Sequence, residues 1–202
     1  MALPIAHATV GYLIHRVDRH RTRFAGWGRA LAFMALANLP DADFLVGFAL
    51  GRPGAFHRGV SHTVLAMLVA GALGGALVAW RWRERWWPAA LAIAAVYGSH
   101  LLVDALTIDQ RGPAGAQFFW PLSDAYYIFP GTIFGEILID GGSRTGFVAS
   151  VLAWPTAVVL AHEVAFAIVA VGSLNLVETM VARLGSRERV AISPERGEED
   201  LV

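Results

Sequence analysis

The residues of this 202-residue chain that could do chemistry are histidines and aspartates set within apolar sequence. His100 and Asp104 are four residues apart, so a helix presents both on one face, as a divalent metal ion requires of two ligands. A hydrogen-bonded pair at a helix end is the simpler alternative for these two residues. The chain has no cysteine, so a metal site must be built from imidazole and carboxylate groups.

A second acidic pair follows a proline inside another apolar run. Asp41 and Asp43 stand in Leu39-Pro40-Asp41-Ala42-Asp43, a pattern typical of a turn or a helix start. One such aspartate is readily explained as a helix N-cap. Two of them within apolar sequence favour a metal site, and the two carboxylates could bind one metal ion or two adjacent ions.

Two further histidines precede the most apolar segment. His57 and His62 are five residues apart, about 140° around a continuous helix. They can share a site only if His57 lies in a loop, which Gly59 allows. Arg58 between them could bind a phosphate or stabilise a developing negative charge. Ser61 is a candidate cap for the following helix.

A free-energy estimate favours a metal over unpaired aspartates. An aspartate at the centre of a membrane costs about 2.5–3.5 kcal/mol on insertion scales. Three of them would cost on the order of 10 kcal/mol, which rivals the stability of a whole domain. A divalent cation would offset that cost, and the histidines would complete its coordination. Zinc is the expected ion, with manganese and iron as alternatives, in one or two copies.

The composition indicates the elements that hold these residues. Hydrophobic residues make up 56% of the chain and charged residues 16%, and the mean hydropathy is +0.52. We therefore predict an all-α, multi-pass helical membrane protein with broken or half-helices around an intramembrane metal site. We predict a membrane domain over 1–182 and a polar, disordered tail over 183–202. The net charge is zero, so no nucleic-acid partner is expected.

The segments follow from runs without charge. We predict spans over Val64–Trp80, over Pro88–Leu106, and over Phe147–Leu174 with a kink at Pro155. Ala30–Leu50 is predicted as two half-helices around the Asp41 break, Leu3–Ile14 as a short helix, and Phe118–Ile139 as an interfacial or re-entrant stretch. His162 and Glu163 lie within the third span and are functional candidates because ionisable residues are rare there. Asp124 in the Phe118–Ile139 stretch is a weaker candidate that could orient a substrate.

The arginines predict the topology. They crowd two segments, Arg16–Arg29 and Arg81–Arg85, which the positive-inside rule assigns to the cytoplasm. The histidines and aspartates of four separate segments then converge at one membrane depth, toward the outer side.

In order and spacing, the motifs resemble a known family. His7-x-x-x-Gly11, Leu39-Pro40-Asp41-Ala42-Asp43, His57-Arg58-Gly59-x-Ser61-His62 and His100-x-x-x-Asp104, extending to Trp120-Pro121-Leu122, resemble the YdjM-like family of membrane-bound, metal-dependent hydrolases. The resemblance implies a bacterial inner-membrane location and a distant kinship with zinc-dependent phospholipase C. It also implies a set of metal ligands, namely His7, Asp41, Asp43, His57, His62, His100 and Asp104.

The expected function is hydrolysis of a lipid or lipid-linked ester or phosphoester by metal-activated water. Membrane lipid is then the expected partner and a lipid-like molecule the substrate. Asp43 or Asp104 could serve as the base, and Arg58 and Asp124 could assist. A transporter or metal-ion carrier is the main alternative, because broken helices with intramembrane carboxylates are typical of transporters. A third possibility is a non-catalytic membrane protein with a structural metal.

Overall fold

The computed structural model describes residues 2–18, 26–109 and 114–191. Helices within these ranges are α1 (Pro4–Asp18), α2 (Trp27–Ala37), α3 (Asp43–Ala49), α4 (Val64–Trp82), α5 (Trp86–Ala105), α6 (Arg144–Val151) and α7 (Trp154–Ala191). Apart from two isolated bridges, the described residues form no β-strand. The predicted all-α fold is confirmed. Arg19, Arg21 and Arg23 of the first arginine segment lie outside the described residues.

Within the described ranges, three helices are long and apolar enough to cross a membrane: α4, α5 and Trp154–Gly185 of α7. The first two match the predicted spans. Thr63 begins α4, because its side chain accepts a hydrogen bond from the N–H of Ala66 at 3.0 Å. This corrects the assignment of Ser61 as the cap. Arg83, in a left-handed conformation, ends α4 and donates its N–H to Ala79, and α5 begins three residues later.

Glycines bring α4 and α5 into close contact. A Cβ on Gly71 would lie 2.9 Å from the carbonyl oxygen of Ala90, and one on Gly75 would lie 2.7 Å from that of Trp86. Small residues four apart let two helix backbones approach closely within a membrane. The antiparallel hairpin therefore brings the start of α4 next to the end of α5, where His62 and Asp104 lie.

The predicted break at Asp41 is present. α2 and the segment Pro40–Ala49 together have the composition of one span, but they are bent by 63°. Pro40 begins a single 3-10 turn, Pro40–Ala42, where its missing N–H removes no helical hydrogen bond. α3 then continues from Asp43. The turn thus holds Asp41 and Asp43 at the junction of two half-helices.

The first helix packs beside the second. α1 extends beyond the predicted Leu3–Ile14 to Asp18. A Cβ on Gly11 would lie 2.7 Å from the carbonyl oxygen of Phe33, so α1 and α2 are in close contact. Phe33 and Ala37 of α2 form a small core with Val96 of α5. These contacts place His7 of α1 near the end of α5.

The third predicted span differs from the structure in its start. The structure has two helices, α6 and α7, in place of one helix kinked at Pro155. Pro155 is the second residue of α7, a first-turn position that a proline tolerates without a kink. The hydroxyl of Thr156 donates to the carbonyl oxygen of Ser150 at 2.7 Å and links the two helices.

The chain forms two compact units, Met1–Ala167 and Ile168–Val202. The first contains all the predicted site residues. In the second, the described residues continue α7 to Ala191. Residues 183–191 of the predicted tail are helical in α7, whereas residues 192–202 lie outside the described residues, where the disordered tail remains a prediction.

Candidate metal centre

Seven predicted ligands lie together at one end of the α4–α5 hairpin. They come from six parts of the chain. These are α1 (His7), the 3-10 turn (Asp41), the start of α3 (Asp43), the following loop (His57), the turn before α4 (His62) and α5 (His100 and Asp104). Contacts of 3.2–3.7 Å connect all of them. The predicted convergence in space is therefore present.

Four of these side chains form a compact inner set. The Nε2 atoms of His62 and His100 are 3.2 Å apart. Oδ1 of Asp41 is 3.4 Å from the first of these nitrogens and 3.5 Å from the second. Oδ2 of Asp104 is 3.5 Å from both. Ligands at about 2.0–2.1 Å from a tetrahedral zinc ion are about 3.4 Å from one another, and the distances from the two histidine nitrogens to each other and to the two oxygens are close to this value.

His7 lies against the inner set. Its ring stacks on His100 with centroids 3.8 Å apart, and its Nε2 atom is 3.7 Å from Oδ1 of Asp104. Burial, with a contribution from the neighbouring His100, lowers the pKa of His7 to about 4. Its imidazole is therefore neutral near pH 7, which is the form that binds metals.

Unsatisfied polar atoms provide a test of whether a metal fits. Both carboxylate oxygens of Asp41 and Asp104 and both ring nitrogens of His7 are buried without a hydrogen-bond partner among the described residues. Buried polar groups normally have partners, because desolvation without compensation is costly. A divalent cation would compensate the carboxylate oxygens of Asp41 and Asp104 and could bind one ring nitrogen of His7, and the imidazole and carboxylate donors suit zinc, manganese or iron. The residues present therefore fit a metal ion.

Hydrogen bonds to the backbone and to Asp43 orient the two central histidines. Nδ1 of His100 is 2.8 Å from the carbonyl oxygen of Ala37. Since a carbonyl only accepts, Nδ1 carries the proton and Nε2 is left free to bind a metal. Nδ1 of His62 is 3.0 Å from the hydroxyl of Ser61 and 3.4 Å from Oδ2 of Asp43. Sequence reasoning missed the Ala37 carbonyl, since it carries no side-chain signal.

Asp43 and His57 form the outer side of the cluster. Oδ1 of Asp43 is 3.4 Å from Nδ1 of His57, and Oδ2 accepts a hydrogen bond from Ser61 at 2.9 Å. His57 is also 3.7 Å from Oδ1 of Asp41. Burial lowers the pKa of His57 against the opposing effect of Asp43. The contacts of Asp43 make it an orienting partner of both histidines.

Arg58 and Asp124 stand apart from the inner set. Arg58 has a left-handed backbone with φ of 61°. Its guanidinium forms an ion pair with Asp109 and donates to the carbonyl oxygen of Gly115 at 3.3 Å. Asp124 is exposed, and its backbone oxygen accepts a hydrogen bond from Gln117 at 2.9 Å. Their catalytic roles remain predictions.

Glu163 is linked to α1 in a way that the sequence did not reveal. Its carboxylate accepts hydrogen bonds from the backbone N–H groups of Leu3 and Ala6. The adjacent His162 is exposed. The signal available from the sequence was only that an ionisable residue occurs within an apolar span.

Comparison with known proteins identifies the family. The family described as YdjM inner membrane protein matches residues 1–182 of the chain. No curated protein and no solved structure matches the chain. The kinship with zinc-dependent phospholipase C remains a prediction. The matched range includes every ligand candidate, α4, α5 and all but the last three residues of the span Trp154–Gly185. The chain belongs to the YdjM family of inner membrane proteins.

Proposed function

We propose that this protein is a membrane-bound, metal-dependent hydrolase that cleaves an ester or phosphoester of a lipid or lipid-linked substrate. The inner set carries the proposal: two imidazole nitrogens lie 3.2 Å apart, and each lies 3.4–3.5 Å from the same two carboxylate oxygens. Their carboxylate oxygens accept no hydrogen bond from the described residues. The hydrolytic activity itself is inferred from the resemblance of the motifs.

The residues divide into ligands and orienting groups. The metal ion would be held by Asp41, His62, His100 and Asp104, with His7 and His57 as further ligands. If a second ion were bound, Asp41 would be a ligand of both ions. A divalent cation bound there would polarise a scissile group and lower the pKa of water. Asp43 would orient His62 and His57, or take a proton from water. Its hydrogen bond from Ser61 favours the orienting role.

Arg58 and Asp124 are proposed to assist the reaction. Arg58 would stabilise negative charge on a phosphoester, in which case the substrate competes with Asp109 for the guanidinium. Asp124 is exposed in the loop that follows α5 and would orient a substrate. Both roles are tested by substitution, with activity and metal content measured separately.

A loop with exposed aromatic residues supports a lipid substrate. The backbone of this loop is hydrogen-bonded to the start of α4 and to the end of α5: the N–H of Val64 donates to the carbonyl oxygen of Phe118 at 2.8 Å, and the N–H of Phe129 donates to that of Ala105 at 3.0 Å. Phe119, Trp120 and Phe129 are exposed along it. Aromatic side chains are enriched at the membrane–water interface. The loop would therefore contact lipid headgroups beside the cluster.

We also propose a bacterial inner-membrane location with the arginine segments Arg16–Arg29 and Arg81–Arg85 in the cytoplasm. The positive-inside rule supports this orientation. The cluster would then open toward the outer leaflet, because it lies at the end of the hairpin away from Arg81–Arg85.

A metal-ion carrier is a second candidate. The 63° bend between α2 and Pro40–Ala49 puts Asp41 at a break in a span, and carboxylates at such breaks bind ions in transporters. Metal-dependent flux into proteoliposomes would favour the carrier, and cleavage without flux would favour the hydrolase.

The experiment is to purify the protein in detergent, measure bound metals, and assay cleavage of phospholipids and lipid phosphates. We expect bound zinc, manganese or iron, and an activity that a chelator removes and that added metal restores. Asp41→Ala should lose both metal and activity, whereas Glu84→Gln, in the loop at the opposite end of the hairpin, should keep both. A folded wild-type protein without metal would falsify the proposal.

A further inference from the structure

Glu163 is a buried carboxylate in a membrane span whose partners are backbone groups of another helix. Only 1% of its surface is exposed. Oε1 accepts a hydrogen bond from the N–H of Leu3 at 2.5 Å, and Oε2 accepts one from the N–H of Ala6 at 2.8 Å. These partners are 160 and 157 residues away in the sequence. The carboxylate therefore joins α7 to the beginning of α1.

The location of these N–H groups explains why a carboxylate is needed. The first N–H groups of a helix have no intrahelical acceptor. Leu3 directly precedes α1 and Ala6 lies in its first turn, where Ala6 is fully buried and has no access to water. A negative charge at a helix N-terminus is also favoured by the helix dipole. Glu163 thus fixes where α1 begins.

His7 directly follows Ala6, and the position of its ring depends on that backbone. Neither ring nitrogen of His7 has a hydrogen-bond partner among the described residues. Its ring is held by stacking on His100, and its Nε2 atom faces Asp104 at 3.7 Å. The central histidines have their own hydrogen bonds, to Ala37 and to Ser61. His7 is held through its helix.

We infer that Glu163 is a positioning residue, which anchors the start of α1 and so holds His7 at the metal centre. The inference rests on the metal centre proposed above. Packing supports the same placement, since Ala6 lies in a core with Val103 and Phe134, and Phe166 of α7 packs against that core. Packing alone, however, offers no acceptor to the two N–H groups.

Metal affinity in a double-mutant cycle tests the inference. We expect Glu163→Ala to weaken zinc or cobalt binding by about 10–100-fold, the effect typical of a residue that orients a ligand. In a His7→Ala background the same change should have no further effect, because the ligand that Glu163 positions is gone. Glu163→Gln should fall between the wild type and Glu163→Ala, since its amide oxygen can still accept one N–H. If Glu163→Ala does not fold, Glu163→Gln carries the cycle.

His162→Ala is the matched control, because it removes the neighbouring ionisable side chain, which is exposed. It should leave zinc affinity unchanged. Hydrogen exchange of the metal-free protein gives a second readout: α1 amides should lose protection in Glu163→Ala and keep it in His162→Ala. The inference is overturned if Glu163→Ala lowers zinc affinity equally with and without His7, or if it leaves the hydrogen exchange of α1 unchanged. Either result leaves the proposed function standing. A wild-type protein that binds no metal overturns the proposed function, and with it the role of His7 as a ligand.

Discussion

The two helices of the central hairpin, α4 and α5, look alike in sequence but differ in their surroundings. Both are long and apolar enough to span a membrane, yet 11% of the α4 span and 50% of the α5 span are buried by the rest of the protein. α4 exposes large apolar side chains such as Leu68 and Leu73. On α5, His100 and Asp104 are among the buried residues.

The difference shows where a membrane protein can place charged and polar groups. α5 is in contact with α1, α2 and α4, so its polar side chains meet protein groups and avoid lipid. α4 presents most of its surface outward and contributes glycines to the contact with α5. Its part in the site is limited to the turn before it, which carries His62. Polar residues in membranes usually face such protein interiors.

The largest expected effect comes from removing a ligand on α5. Asp104→Ala should weaken metal binding by more than about 100-fold, beyond the usual effect of losing an orienting residue. Leu73→Ala on α4, where the side chain is 68% exposed, should leave binding unchanged. Isothermal titration of the detergent-purified variants with zinc measures both. Similar affinities for the two variants would remove the functional contrast between the helices.

A smaller effect is expected at the start of α3, where Asp43 lies beside the histidine of the turn before α4. Asp43→Asn should weaken metal binding by about 10–100-fold, because its carboxylate lies beside His62 and His57 and orients them. Cobalt titration, followed by visible absorption, measures the affinity. Asp140→Asn, an exposed aspartate whose side chain accepts from Gly142, is the control and should bind as the wild type does. An Asp43→Asn variant with wild-type affinity would show that His62 needs no orienting carboxylate.

The smallest effect concerns the contact between the two helices. Gly75→Ala should lower the stability by about 1 kcal/mol, the lower end of the cost of overpacking, because the added Cβ would lie 2.6 Å from Cβ of Ala90. Gly172→Ala on α7 meets nothing within 4 Å and should be neutral or stabilising through helix propensity. Thermal unfolding in detergent compares them. Equal melting temperatures would indicate that α4 and α5 are not tightly packed at Gly75.

The sequence predicted those parts of the site that depend on local spacing. His100 and Asp104 share a face because they are four residues apart, and Pro40 marked the break that holds Asp41. The confirmed spans follow from runs without charge. Residues in long-range contact could not be predicted in this way. Arg58 pairs with Asp109, 51 residues away, and nothing in either local sequence indicates the other.

The start of α7 illustrates a second limit. Pro155 within an apolar run is consistent with a kinked helix or with a new helix that starts there. The choice depends on contacts such as that of Thr156 with Ser150, which arise only in the folded chain. For the same reason, Glu163 could be recognised as unusual while its partners on α1 could not.

The hydrogen bond from His100 to Ala37 gives the break in the second span an additional meaning. In a continuous helix the carbonyl oxygen of Ala37 would accept the N–H of residue 41. Because α2 ends at Ala37, that oxygen is available to the imidazole at 2.8 Å, while the same interruption turns Asp41 toward His100. The break between the two half-helices thus supplies the ligand Asp41 and also the carbonyl oxygen of Ala37, which sets the tautomer of His100. A substitution that restored a continuous helix would therefore remove both groups from the metal centre, the Asp41 carboxylate and the Ala37 carbonyl oxygen.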